Sequence, residues 1–275
     1  MTILLESKAF PQGGFYIMRH DDLYMIIDCV PADPKAPSGH KHNSRLSFEL
    51  FAYGKSFIID PGAYIYTADK EMRNLFRSTR YHNTVVVDSE EQNRFDEDEL
   101  FTMKLDAAVR VNEWLVTEKY DFFDAEHNGY ARLKNPVVHR RQICFNKEKG
   151  YWVIKDMLTG EGGDKHKFDL YFHFAPMRLR EQDELAIETD DRDGINIVII
   201  PLKTEGVSME IENGWVSYSY GTKVEAPIAK YSKTAEVPTE FITVIAAGQI
   251  PSVGEIEMSM KDVFKGSYEN EKQNI

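Results

Sequence analysis

An all-β fold, a large antiparallel β-sandwich carrying one short helix near 68–77, is predicted by three observations. Period-two alternation and β-branched or aromatic runs recur along the chain, the connectors between them are short and turn-like, and no strand–helix–strand rhythm interrupts the series. With 42% hydrophobic residues among 275, the chain has enough apolar material for an ordinary buried core.

Taken in order, the first strands are Gly14-Phe15-Tyr16-Ile17-Met18-Arg19, Leu23-Tyr24-Met25-Ile26-Ile27-Asp28, Leu46-Ser47-Phe48-Glu49-Leu50-Phe51 and Ser56-Phe57-Ile58-Ile59. Others come at 84–87, 138–145, 151–156, 168–174, 195–200, 215–220 and 240–247. Their connectors include His20-Asp21-Asp22 and Asp191-Arg192-Asp193-Gly194, and the clearest hairpin turn is Asn146-Lys147-Glu148-Lys149-Gly150. Residues 68–76 are rich in helix formers, and Met72, Leu75 and Phe76 are spaced to share one face. No repeat or interdomain linker divides the chain, so one domain over 1–265 and a flexible polar tail over 266–275 are expected.

There are 33 basic and 45 acidic residues, a net charge of −12. That balance argues against nonspecific binding to nucleic acid or to an anionic membrane. No apolar run approaches the ~20 residues of a membrane span, and Met1-Thr2-Ile3-Leu4-Leu5-Glu6 lacks the basic start and apolar stretch of a signal peptide. The sequence reads as a soluble chain. Cys29 and Cys144 read as two buried thiols, with a single bridge as the lesser alternative. Over 35–82 eight basic residues face four acidic ones, which predicts a local positive field suited to an anionic ligand.

The chemistry-bearing pattern begins at Pro37-Ser38-Gly39-His40-Lys41-His42-Asn43. Two histidines two apart share a side on an extended backbone. Asp60 ends an apolar strand before Pro61-Gly62, and His82 stands just ahead of another apolar strand. Two imidazoles and a carboxylate at strand ends suit zinc. Alone, however, a His-x-His pair is more often a pair of satisfied surface histidines. A cupin would need a Glu three or four residues after the pair, and Glu49 lies seven after His42, so the cupin reading fails on spacing.

One ordered series runs through Gly14-Phe15-Tyr16, Gly39-His40-Lys41-His42, Leu46-Ser47-Phe48-Glu49, Asp60-Pro61-Gly62-Ala63-Tyr64-Ile65-Tyr66, Arg73-Asn74-Leu75-Phe76-Arg77-Ser78-Thr79 and His82-Asn83-Thr84-Val85-Val86-Val87-Asp88. It resembles the heparinase II/III-like family of polysaccharide lyases. The resemblance implies the carboxy-terminal sandwich of that family, which comes after a helical toroid and shares a cleft with it. It further implies His42, Asp60 and His82 as ligands to a cleft-organising zinc ion, with His40 facing the substrate. The family often has Asp or Asn two positions after its second histidine; here that position is Ser44.

The function implied by this resemblance is β-elimination on a uronic-acid-containing glycan. The proton at C5 of a uronate is hard to remove until the adjacent carboxylate is neutralised, and a base and an acid complete the step. His40 is the candidate base or neutraliser, Arg73, Arg77 and Tyr66 the candidate substrate-binding groups, and Tyr64 or Tyr66 a candidate local acid. Family members draw their principal tyrosine from the toroid, which has no counterpart here, so a helical partner domain or subunit is implied. Family lyases are usually periplasmic or secreted. A noncatalytic glycan-binding or assembly module for surface polysaccharide and a metal hydrolase are the competing readings, and homo-oligomerisation stays open. His166 and His173 read as structural or rim residues, and Trp114, Trp152 and Trp215 as packing groups.

Overall fold

The computed structural model describes residues 6–33, 35, 38–192, 194–252 and 254–257; the boundary expected at 265 and the tail expected over 266–275 lie outside them. The chain opens with β1 (Lys8–Phe10), β2 (Phe15–His20), β3 (Leu23–Asp28), β4 (Phe48–Ala52) and β5 (Lys55–Ile58), which form a five-stranded meander. Then come α1 (Lys70–Arg77), β6 (Val85–Val87), β7 (Val109–Val116), β8 (Tyr120–Tyr130), β9 (Val137–Asn146), β10 (Tyr151–Gly160) and β11 (His166–His173). The last elements are β12 (Leu179–Glu181), β13 (Ile187–Thr189), β14 (Ile197–Pro201), β15 (Val207–Ser219), β16 (Thr222–Ala235) and β17 (Thr239–Ala247). Eight strands form a sheet of order β12-β13-β14-β17-β10-β9-β8-β7, and four form a sheet of order β15-β16-β11-β6. All strand pairings within these sheets are antiparallel, as the alternation predicts.

The two smaller sheets are joined edge to edge. Ile58 bridges Phe174, and the Ile59 N–H donates to His173 O at 2.9 Å. β5 and β6 therefore abut end to end along one edge of β11, whose other edge is taken by β16. The joined layer packs on the eight-stranded sheet through a core that includes Met25, Phe48, Phe172, Ile143, Trp152 and Phe241. Trp152 stacks on Phe145 at 4.6 Å, the packing role expected of it.

The β9–β10 turn keeps closely to the sequence pattern: Asn146 pairs with Tyr151, and Gly150 takes a φ of +69°. The outer face of this sheet is apolar too, and Ile256 covers part of it with Val153, Val244 and Ala246. Helix α1 starts inside the predicted window because the Asp69 carboxylate caps the Met72 N–H at 3.0 Å. Its Phe76, Met72 and Leu75 pack with Tyr81, Tyr171 and Ile228. Cys29 and Cys144 are free and buried, and they sit in different core clusters. Among the described residues no helix is long and apolar enough to cross a membrane.

Candidate active-site cleft

At the junction where β5 stops and β6 begins, a cleft of about 670 Å³ opens. Its lining includes His40, His42, Asp60, Tyr66 and Arg73. Asp60 leaves the end of β5, and its Oδ1 accepts the Gly62 N–H at 2.7 Å, which turns the chain. Gly62 must be glycine: its φ is +78°, and a Cβ there would lie 2.4 Å from Ser217 O. His82 caps a short 3-10 turn, Thr79–Tyr81, and the chain enters β6 at Val85.

His82 is the meeting point. Its Nδ1 donates to Ser78 O at 2.7 Å, which leaves the Nε2 lone pair free. That Nε2 lies 3.3 Å from His42 Nδ1 and 3.5 Å from Asp60 Oδ2. His82 is fully buried, whereas the Asp60 side chain is 34% exposed toward the cleft. On its far side His42 presents Nε2 to Arg73 Nη1 at 3.4 Å. The bonds run one way: Arg73 donates to His42, His42 donates to His82, and His82 donates to Ser78 O. Burial, then the neighbouring His82 and Arg73, hold the His42 pKa well below the usual imidazole range, so the ring is neutral near pH 7.

Does this donor set suit zinc? Two imidazole nitrogens and a carboxylate oxygen are the ion's usual partners, and ligands ~2.0–2.1 Å from a tetrahedral ion stand about 3.4 Å apart. The 3.3 and 3.5 Å separations agree. Even so, among the described residues no three His, Cys, Asp or Glu groups are already gathered as a ligand set. The His42 proton points at His82, and Arg73 faces the ring's other nitrogen. A metal would need that proton gone and the guanidinium shifted. The donors fit, and the hydrogen bond between the two rings is the contact an ion would replace.

His40 does not join His42 through the alternation expected of an extended pair, because Ser38–His40 is a 3-10 turn. Its Nδ1 instead meets Tyr66 OH at 3.3 Å, and the rings stand edge to face at 5.5 Å. Arg73 lies with Cζ 4.9 Å from the Tyr66 ring and donates to Gly39 O at 2.6 Å. The structure thus brings His40, Tyr66 and Arg73 together on one wall, with His42, His82 and Asp60 behind it.

Arg77 goes elsewhere. Its guanidinium is fully buried, stacked 4.1 Å from Phe95, and donates to the carbonyls of Leu100, Thr102, Asp96 and Glu99. It pins the 95–102 loop and offers no donor to the cleft, which corrects its assignment to substrate binding. The local positive field needs the same correction. Lys55 pairs with Asp191, Lys70 with Asp98 and Arg45 with Asp28. At the cleft itself Lys41, Arg45 and Arg73 are met by Asp28, Asp33, Glu49 and Asp60. Tyr64 packs on Phe76 at 6.0 Å and is not among the residues that line the cleft.

Residues assigned no role from the sequence hold the geometry. Asn83 Nδ2 donates to Phe48 O and Ile59 O, and its Oδ1 accepts the His173 N–H, so one amide fixes the backbone beside Asp60 and His82. Glu91 Oε2 takes bonds from Asn43 Nδ2 and from the Thr79 N–H and Oγ1, each 2.7 Å long. Glu49 accepts the Asp60 backbone N–H, while burial and then the Asp60 charge raise its pKa. His173, fully buried, bonds Arg80 O at 3.0 Å, and His166 bonds Asp88 at 2.6 Å, the structural roles expected of both.

The family described as heparinase II/III-like, C-terminal, matches residues 2–248. A heparin-sulfate lyase from Pedobacter heparinus is 26% identical over 231 residues, covering 82% of this chain and 32% of the relative. One from Bacteroides stercoris is 28% identical over 249 residues, covering 87% and 34%. The crystal structure of the heparan sulfate lyase HepC from Pedobacter heparinus superposes with a TM-score of 0.74 at 22% identity, over 90% of this chain and 37% of that one, which supports the fold. The chain spans about a third of the length of these relatives. With the match running through the sandwich and the cleft alike, the chain belongs to the heparinase II/III-like, C-terminal family.

Proposed function

We propose that this chain forms the sandwich wall of a polysaccharide lyase that cleaves uronic-acid-containing glycans by β-elimination, the kind of enzyme its curated relatives are named for. The observation that carries the reading is the pairing of His40 with Tyr66 at the mouth of the cleft, with Arg73 behind both. In β-elimination a base removes the C5 proton, the electron pair forms the C4–C5 double bond, the C4–O bond breaks, and an acid returns a proton to the departing oxygen. His40 is exposed and suited to meet the uronate as base or carboxylate neutraliser. Tyr66 orients that imidazole through its hydroxyl. Arg73 is only 1% exposed and contributes positive field more than direct contact. A helical domain would close the opposite wall and supply the remaining acid–base group.

His42, Asp60 and His82 would hold a zinc ion that ties the β5 end to the β6 start; bound there, the ion supplies cross-linking positive charge. The proposal rests on donor type and on the two separations. Elemental analysis of protein purified with zinc should find one equivalent, and His42→Ala with Asp60→Ala should remove it. Full occupancy in that double variant would exclude these ligands.

The activity is tested by ultraviolet absorbance of the unsaturated uronate on acidic polysaccharide, for this chain alone and then with a helical partner segment. Product only in the combined sample supports a shared cleft. Binding without product in either sample favours the second reading, a noncatalytic glycan-binding module, which the single-walled cleft also fits.

A further inference from the structure

We propose that the β15–β16 hairpin carries an outer saccharide subsite, where the exposed ring of Tyr220 stacks on a pyranose face and Lys223 meets that sugar's carboxylate or sulfate. The inference rests on the cleft being a glycan site and adds to it a place for a second sugar.

The first observation is a stack. Tyr220 lies 5.4 Å from Tyr66 and 28° from parallel with it. Tyr66 is itself held by His40, Arg73 and Phe101, the last at 6.2 Å. Tyr220 is 61% exposed, and Tyr218 two residues earlier is 69% exposed. An aromatic ring fixed at the rim of a cleft with most of its surface in water is an uncovered binding face. Its ordering cost is already met by the fold.

The second observation is the cation. Lys223 Nζ sits 4.2 Å from the Trp215 ring, 5.0 Å from Tyr64 and 3.3 Å from Met72 Sδ. None of these partners is an anion. Its ammonium is positioned by two rings and a thioether, yet it is not neutralised by them, so an incoming acid group would find a preset counterion.

The third is rigidity. The hairpin is strapped to the segment that carries the cleft: the Ser217 N–H donates to Pro61 O at 2.8 Å, and the Gly221 N–H to Tyr64 O at 2.7 Å. Gly62 lies in a parallel bridge with Ser217. The distance between Tyr220 and the His40–Tyr66 pair is therefore built into the backbone. A chain of sugars leaving the cleft on the Tyr66 side passes over the hairpin.

The test is titration calorimetry of the full chain with a heparan-sulfate-derived disaccharide and hexasaccharide. Tyr220→Ala should weaken the hexasaccharide about tenfold, equivalent to ~1.4 kcal/mol, and leave the disaccharide unchanged. Tyr220→Phe should bind as the parent does. Lys223→Met should flatten the salt dependence of hexasaccharide binding. Equal affinity of Tyr220→Ala and parent for both lengths, while His40→Ala weakens both, overturns the subsite and leaves the cleft reading standing. No binding of either oligosaccharide to the parent overturns both. A Tyr220→Ala chain that loses affinity for a helical partner segment but not for hexasaccharide shows a protein contact there, and overturns the subsite as well.

Discussion

Two regions of this molecule hold the same chemical inventory, two histidines, one aspartate and one arginine, and do opposite things with it. In the interior, His127 Nε2 meets His139 Nδ1 at 3.2 Å, and His139 Nε2 meets Asp156 Oδ1 at 2.6 Å. Arg141 closes on the same carboxylate through Nε at 2.7 Å and Nη2 at 3.0 Å. All four residues are fully buried. At the cleft, His42, His82 and Asp60 have Arg73 at one end, but it faces His42 and not Asp60. The interior aspartate is saturated by a two-pronged partner; the cleft aspartate keeps capacity facing solvent. Residue type does not decide between scaffold and site. What decides is where the groups fall in the fold: the interior set sits within β8, β9 and β10, whereas the cleft set lies outside the strands, Asp60 and His82 near strand ends, His42 in the stretch before β4 and Arg73 on α1.

The largest effect should come from breaking the interior set. Arg141→Met strands the Asp156 charge and also removes the donor to Leu46 O and Asn83 O, both at 2.6 Å. Denaturant unfolding should show a loss of about 3–5 kcal/mol, with part recovered when Asp156→Leu is added. Next is Asn83→Ala, which leaves Phe48 O, Ile59 O and the His173 N–H without their partner. It should cost about 1–3 kcal/mol and, under the zinc-site proposal, weaken zinc about 10–100-fold by metal titration.

Acid should separate the two regions further. Burial, foremost, holds the pKa values of His127 and His139 below the usual range. The unfolded chain takes up protons below ~6.5 that the fold refuses, so stability present above that pH is lost on acidification. Asp156 responds at lower pH: burial would raise its pKa, but Arg141 and His139 bring it down to about 2. Its contribution is present above ~3.9 and falls away as pH drops toward 2. Replacing both His127 and His139 with Gln should shallow the stability–pH slope below ~6.5 by up to about 1.4 kcal/mol per pH unit for each histidine removed, measured by denaturant midpoints across pH. The smallest effect belongs to a pair in neither region. Lys70→Ala breaks the exposed contact with Asp98 and should leave the melting temperature unchanged.

The fold was legible where one face of a strand is buried and the other is not. The 138–145 and 151–156 runs and their turn are found as β9 and β10. β8 escaped because Asp121, Phe122, Phe123, Asp124 and Ala125 are all buried, which erases alternation. Its acids are kept inside by Lys147 and Arg140. β16 escaped because of Pro227. That residue lies just beyond the end of β11, where the missing N–H costs no rung, since His173 pairs with Ile228. At the site, Asp60 and His82 were legible as strand-end groups from the turn and the apolar runs around them. The inward turn of Arg77 was not, because its partners are carbonyls of a loop and leave no pattern in side-chain order. The buried role of Arg141 was hidden for the same reason.

The abutment of β5 and β6 along β11 has a consequence for how this architecture can vary. Asp60 and His82 are neighbours because two strands terminate against one rail, and the path the chain takes between them is immaterial to their spacing. The stretch holding α1 is thus a cassette between two backbone anchors: as long as the Ser78 carbonyl that orients His82 is kept, its length and the groups it brings to the rim can change while the anchors stay in register.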